Sequence, residues 1–167
     1  SDIIRVNLLY KYGGFWMDAA VYVLKPLEES ILEYPIYTRN LPETQFCSNA
    51  MWTIGFLYAK PGNILFRFLS EGFSYYFSVY DKLEYYFTLD YMIAIACNLF
   101  PDIEEQFQQI PYNNEKAFCL KGHLTEPFDT EKYRCYTENT SIQMLTYKLD
   151  LTEVHKEENT IYKYISC

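Results

Sequence analysis

Two adjacent glycines, Gly13 and Gly14, divide the opening of the chain into segments of different period. Before them, Ile3, Ile4, Val6, Leu8, Leu9 and Tyr10 form a wide apolar stripe, which predicts a helix over 2–12 that Ser1 could cap. After them, Phe15 to Leu24 is rich in aromatic and β-branched residues and closes on Lys25-Pro26, so it reads as extended chain. Glycine tolerates the left-handed backbone that a sharp reversal needs. The fold must therefore start with a helix that turns back tightly into a strand.

The remaining pattern is mixed α/β. A short helix from Leu27 to Glu33 and a strand over Ile36 to Thr38 precede a polar, loop-like stretch from Leu41 to Asn49. Trp52 to Tyr58 reads as a strand ended by the turn residues Lys60-Pro61-Gly62-Asn63. Leu65, Phe68, Leu69, Phe73 and Tyr76 recur at helical spacing between Asn63 and Tyr80. A second helix is expected from Thr88, as N-cap, to Phe100, with Pro101 just beyond. Residues 102–109 suggest a short polar helix, and helical pieces are expected near 129–136 and 159–165. No repeat or linker divides the 167 residues, so one domain is expected over 1–167. The chain opens on Ser-Asp rather than Met, which suggests a fragment of something longer.

Charge and composition narrow the partners. A net charge of −8 offers no broad basic face for a nucleic-acid backbone, so no nucleic-acid partner is expected. The same charge means that an anionic substrate would need a metal or local cations. No apolar run reaches membrane-spanning length. The five cysteines form no C-x-x-C, and His123 and His155 stand alone, so no zinc site can be written. Scattered reduced thiols point to a cytoplasmic setting, which includes the inner face of the membrane. Aromatic residues make up 19% of the chain, a composition that suits clefts and carbohydrate-facing surfaces as well as cores. The run Phe73, Tyr75, Tyr76, Phe77, Tyr80, Tyr85, Tyr86 and Phe87 could line an acceptor or membrane-proximal surface, but its helical spacing argues that much of it is core.

Chemistry-bearing residues concentrate in the opening segment. Asp2 and Arg5 are i and i+3 on one side of the first helix. In an extended chain Trp16, Asp18 and Ala20 would share one face. A carboxylate beside a Trp, facing a helix that carries Asp and Arg, fits a ligand site. The same residues also fit a helix-surface ion pair and a strand-terminal Asp in a turn. Asp90, two residues after Thr88, fits either a first-turn carboxylate placed against the helix dipole or a carboxylate at a sugar. Asn49 fits a turn residue or a donor to sugar hydroxyls.

The string Ser1-Asp2-x-x-Arg5, then Leu9-Tyr10-x-Tyr12-Gly13-Gly14-x-Trp16-x-Asp18, resembles the signature of the family-32-type glycosyltransferases. Among these it is most similar to the bacterial capsular polysaccharide synthesis proteins. The likeness runs on through Ser48-Asn49, Trp52-Thr53, Lys60-Pro61-Gly62-Asn63, Leu89-Asp90-Tyr91, Pro111-Tyr112-Asn113-Asn114 and Glu126-Pro127-Phe128-Asp129.

The resemblance implies a GT-A nucleotide-diphospho-sugar-binding fold, here without its N-terminal βαβ portion. It implies transfer of a sugar from a nucleotide-activated donor to a glycan or lipid-linked glycan acceptor, with retention and a divalent metal. Asp2 and Arg5 match positions at the donor's sugar and phosphates, Trp16 an aromatic beside the nucleotide, and Asp18 the first carboxylate of Asp-x-Asp. Asp18 would then be both catalytic and a ligand to Mn²⁺ or Mg²⁺, with Asp90 a second catalytic carboxylate and Asn49 a sugar contact. Hard cations prefer oxygen donors, and Arg5 would add fixed positive charge. The second motif position is Ala20, a methyl group where the metal ligand usually stands. That departure motivates the alternative of a non-catalytic carbohydrate-binding or assembly module.

Overall fold

The computed structural model describes residues 1–41, 46–146, 148 and 159–166. His155 and Cys167 lie outside the described residues. The architecture is mixed helix and sheet, and the described strand pairings are antiparallel. Two compact units emerge, Ser1–Met17 with Glu28–Tyr112, and Asp18–Leu27 with Asn113–Cys167.

In the first unit, helix α1 (Asp2–Tyr12) buries Arg5, Val6 and Leu9. Ser1 is its N-cap by position but makes no side-chain capping bond. Gly13 ends it at φ 64, donating its N–H to the Leu9 carbonyl at 3.0 Å. A side chain there is excluded twice. The backbone is left-handed, and a Cβ would sit 2.6 Å from Pro61 Cδ and 2.7 Å from the Ala59 carbonyl. This close approach sets the end of α1 against the strand terminus at Ala59.

Strand β1 (Gly14–Met17) pairs with β4 (Phe56–Ala59), which also pairs with β3 (Ile36–Thr38), giving the order β1-β4-β3. Trp16 lies opposite Leu57, and Phe15 opposite Tyr58. Helix α2 (Ile64–Val79) is capped by Asn63, whose Oδ1 accepts the Leu65 N–H at 2.9 Å. Helices α3 (Thr88–Leu99) and α4 (Pro101–Gln108) follow, with Pro101 at the first position of α4. The core is made by Leu9, Ile36, Phe56, Leu57, Leu65, Phe66, Leu69, Phe73, Leu89, Ile93, Ile103 and Phe107. Asn63 also donates to Pro35 and Gln106, which ties the α2 cap to β3 and α4.

In the second unit, β2 (Val21–Val23) pairs with β5 (Ile142–Met144), with Tyr22 opposite Gln143. Helix α5 (Thr130–Thr137) is capped by Asp129, whose Oδ1 accepts the Lys132 N–H at 2.8 Å. Helix α6 (Ile161–Ser166) contributes Ile161 to a small core with Leu120 and Leu124. Phe128, Tyr133 and Tyr136 pack around that core.

Several expectations are corrected. The extended run from Phe15 to Leu24 is two strands, because residues 18–20 turn and β1 and β2 pair with different partners. The segment from Leu27 to Glu33 is a single 3-10 element over Glu29–Glu33. The strand expected from Trp52 begins only at Phe56. Phe87, not Thr88, occupies the α3 cap position. Most of the aromatic run is exposed: Phe73 is core and Tyr76 is partly covered, whereas Tyr75, Phe77, Tyr80, Tyr85, Tyr86 and Phe87 face solvent. The last turn of α2 extends past its core contacts at Leu65, Phe66, Leu69 and Phe73, and residues 80–87 form no helix.

Candidate functional site

Arg5 organises the polar cluster of the first unit. It is only 3% exposed, because its place on α1 faces the core beside Val6 and Leu9. Its Nη1 donates to the Ile54 carbonyl at 2.7 Å, and its Nη2 lies 3.6 Å from Asp2 Oδ1. Its guanidinium stands 5.1 Å from the centroid of the Trp16 ring, within cation–π range. The i, i+3 spacing on α1 thus brings Asp2 and Arg5 together, and β1 delivers Trp16 to the same charge.

Thr38 fixes the loop that presents Ile54. Its Oγ1 accepts the Thr53 N–H at 3.1 Å and donates to the Phe56 carbonyl at 2.7 Å. These bonds tie both ends of the loop to β3, and the Ile54 carbonyl between them meets the guanidinium.

Asp90, in the first turn of α3, is 7% exposed. Its Oδ1 accepts the Trp52 indole N–H at 3.1 Å. Burial pushes its pKa above the usual carboxylate range, and the charge of Asp2 adds to that rise. The Trp52 hydrogen bond and the positive charge of Arg5 work in the opposite direction. Asp90 therefore shares a field with Asp2 and Arg5. Burial also raises the Cys47 thiol, with the Asp90 charge as the next cause.

The loop 46–50 passes beside this group. Phe46, Asn49 and Ala50 are left-handed, at φ 55, 45 and 55. The loop is held by the Ala50 carbonyl accepting the Leu41 N–H and by the Ser48 carbonyl accepting the Met51 N–H. Asn49 is exposed on it, one residue after buried Ser48. Phe46 packs its ring on Phe87 and Tyr91, at 4.7 and 5.7 Å between centroids.

Asp2, Arg5 and Trp16 thus come together in the first unit, Asp90 feels the charges of Asp2 and Arg5 from its bond to Trp52, and Asn49 rides on the neighbouring loop. Asp18 falls in the second unit. It follows β1 directly, is half-buried, and its carbonyl accepts the Val21 N–H at 2.9 Å. The Ala20 carbonyl accepts the Leu145 N–H at 2.8 Å, so this position is fixed by backbone pairing. Among the described residues, no group of three or more His, Cys, Asp and Glu could hold a metal ion. Trp52, Thr38 and the Ile54 carbonyl were not singled out as site residues from the sequence. Trp52 is 38 positions from Asp90, and no local spacing links them.

The model of the capsular polysaccharide synthesis protein family matches residues 1–165. The chain belongs to that family. No curated protein and no solved structure matches it. The family places the chain in capsular polysaccharide synthesis, in agreement with the capsular part of the resemblance. In this family member, no helix among the described residues is long and apolar enough to cross a membrane.

Proposed function

We propose that the chain is a glycosyltransferase domain of GT-A type, transferring a sugar from a nucleotide-activated donor to a growing surface or capsular polysaccharide. The observation that carries this reading is the placement of two mostly buried charges in a chain of the capsular-synthesis family: Arg5 beside Asp2 and Trp16, and Asp90 within reach of the charges of Asp2 and Arg5. Burying charge is costly, so such clusters concentrate where chemistry uses them.

In the reaction, the bond from the anomeric carbon to the diphosphate oxygen breaks, a glycosidic bond forms with retention, and the acceptor hydroxyl passes its proton to the departing diphosphate. Asp2, with its partly exposed carboxylate, would meet the donor sugar, and Trp16 would flank the nucleotide. The Arg5 guanidinium is taken up by the Ile54 carbonyl, Asp2 and Trp16. Arg5 therefore holds Asp2 and Trp16 in position and acts on the phosphates through its field. Asp90 would stabilise positive charge developing at the anomeric carbon, and its desolvated surroundings strengthen that interaction. Asn49 would bond donor-sugar hydroxyls from its exposed loop.

Ala20 offers no side-chain oxygen, so Asp18 is the motif residue that would hold a Mn²⁺ or Mg²⁺ ion. Once bound, such an ion would stabilise the charge on the leaving diphosphate as a Lewis acid. The missing second carboxylate also favours a second reading, a non-catalytic module with a carbohydrate-binding or assembly role. We place the protein in the cytoplasm, at the inner face of the membrane where lipid-linked acceptors would be met.

Donor turnover by the full-length protein, with and without Mn²⁺, tests the proposal against Asp18→Ala. Loss of about a hundredfold or more is expected, in line with removal of one strong electrostatic group from a reacting centre. Turnover unchanged by the substitution would remove Asp18 from the reaction, and no turnover by the wild-type protein would leave the non-catalytic reading in its place.

A further inference from the structure

The first unit exposes aromatic rings as a connected group rather than singly. Phe46 from the loop 46–50, Tyr86 and Phe87 from the segment before α3, and Tyr91 on α3 are 53%, 85%, 45% and 45% exposed. Their rings touch in sequence. Tyr86 meets Phe87 edge to face at 5.0 Å, Phe87 meets Phe46 at 4.7 Å, and Phe46 meets Tyr91 at 5.7 Å. A connected exposed apolar group marks a binding surface far more often than scattered single residues do.

Two features say what it binds. The first is position. Tyr91 follows Asp90 directly, Phe87 lies one helical turn before it, and Phe46 precedes Cys47, whose thiol feels the Asp90 charge. The group therefore sits on the first turn of α3 and the loop beside it, the elements that carry Asp90 and Cys47. The second is charge. Residues 46–59 and 83–100 contain no Lys or Arg, and Lys82 lies 3.8 Å from Glu84. An anionic head group or polyanion would find no counter-charge here. A neutral sugar ring fits better, since it offers a C–H face to stack on a ring and hydroxyls to bond the tyrosine O–H.

We propose that Phe46, Tyr86, Phe87 and Tyr91 form a saccharide subsite beside Asp90, which holds a neutral stretch of the acceptor glycan by ring stacking. That this saccharide is the acceptor rests on the transferase reading.

The test is affinity electrophoresis of the full-length protein. One gel contains the neutral polysaccharide fraction from cells that make the protein, and a control gel contains none. A parallel flotation assay uses phosphatidylethanolamine and phosphatidylglycerol vesicles. The wild-type protein should be retarded by the polysaccharide. Phe87→Ala and Tyr91→Ala should each weaken retention roughly three- to tenfold, the range of a single aromatic contact. Tyr91→Phe keeps the ring and should restore most of the binding. All these side chains are exposed, and circular dichroism of each variant checks folding. Retention absent from the wild type, or unaffected by the alanine variants, overturns the subsite. Vesicle binding that the alanine variants abolish, without polysaccharide retention, overturns it in favour of a membrane surface. Donor turnover by the wild-type protein is scored separately, so a failed transferase reading and a failed subsite give different results.

Discussion

The two units differ in whether charge stands among their buried polar groups. In the first, charged side chains go inside: Arg5 and Asp90 are nearly closed to solvent, and Asp2, Trp52 and the Ile54 carbonyl complete the cluster. In the second, the buried hub is a neutral amide. Gln143 Oε1 accepts the Leu120 N–H at 3.1 Å, and its Nε2 donates to the Lys116 and Tyr136 carbonyls at 2.9 and 3.0 Å. Among the described residues, the ion pairs of that unit, Lys116–Glu138, His123–Glu126 and Arg134–Glu131, stay near the surface. A neutral amide closes backbone bonds at low cost, so Gln143 serves the fold. Burying charge is costly for stability, so under the proposed function its presence in the first unit serves the reaction.

Breaking the first cluster should have the largest effect. Arg5→Met leaves Asp2 and the Ile54 carbonyl without their guanidinium partner, and a loss of about 3 kcal/mol is expected from urea unfolding. Gln143→Leu strands one N–H and two carbonyls, and about 2 kcal/mol is expected from the same measurement. A smaller loss for Arg5→Met than for Gln143→Leu would remove the contrast between the units.

The units should also differ in sign towards acid. The folded pKa of Asp90 is raised above 3.8, so the folded state holds its proton more tightly than the unfolded chain does. Its ionisation therefore subtracts stability as pH rises from 3.8 through the raised value. Asp90→Asn should remove that decline and leave the protein at least as stable at pH 7. Glu126 behaves oppositely. The hydrogen bond to His123 Nδ1, at 2.7 Å, is the main cause of a folded pKa below 4.5. Its contribution is present above 4.5 and is lost as pH falls through the folded value. Glu126→Gln should flatten this acid limb, with a smaller amplitude because the pair is solvent-screened. Unfolding midpoints measured from pH 3 to 8 check both signs.

Much of the first unit was legible because its sequence signals are local. The apolar stripe and glycine pair placed α1, Asn63 and the turn before it placed α2, and Ile36 to Thr38 is the third strand as expected. The turn at residues 18–20 was not legible, since Asp18-Ala19-Ala20 contains neither Gly nor Pro and lies between apolar runs. The pairing of β1 with β4 and of β2 with β5 decides the break, and pairing partners so far away in sequence leave no local trace. Strand β5 spans three residues, too few to show alternation. The spacing of Asp2 and Arg5 foretold their pairing, but Arg5's burial is set by the fold and could not be read from its helix position. The role of Gln143 had no sequence signal at all.

The most direct measurement is donor turnover and stability on the same Asp90→Asn protein. The amide keeps an oxygen for the Trp52 indole N–H and removes the charge alone. Turnover of a nucleotide-sugar by the full-length variant should fall about a hundredfold or more while its unfolding midpoint at pH 7 stays level or rises. Turnover retained at the wild-type rate, or a variant less stable at pH 7, would contradict the claim that the first unit buries this charge for chemistry.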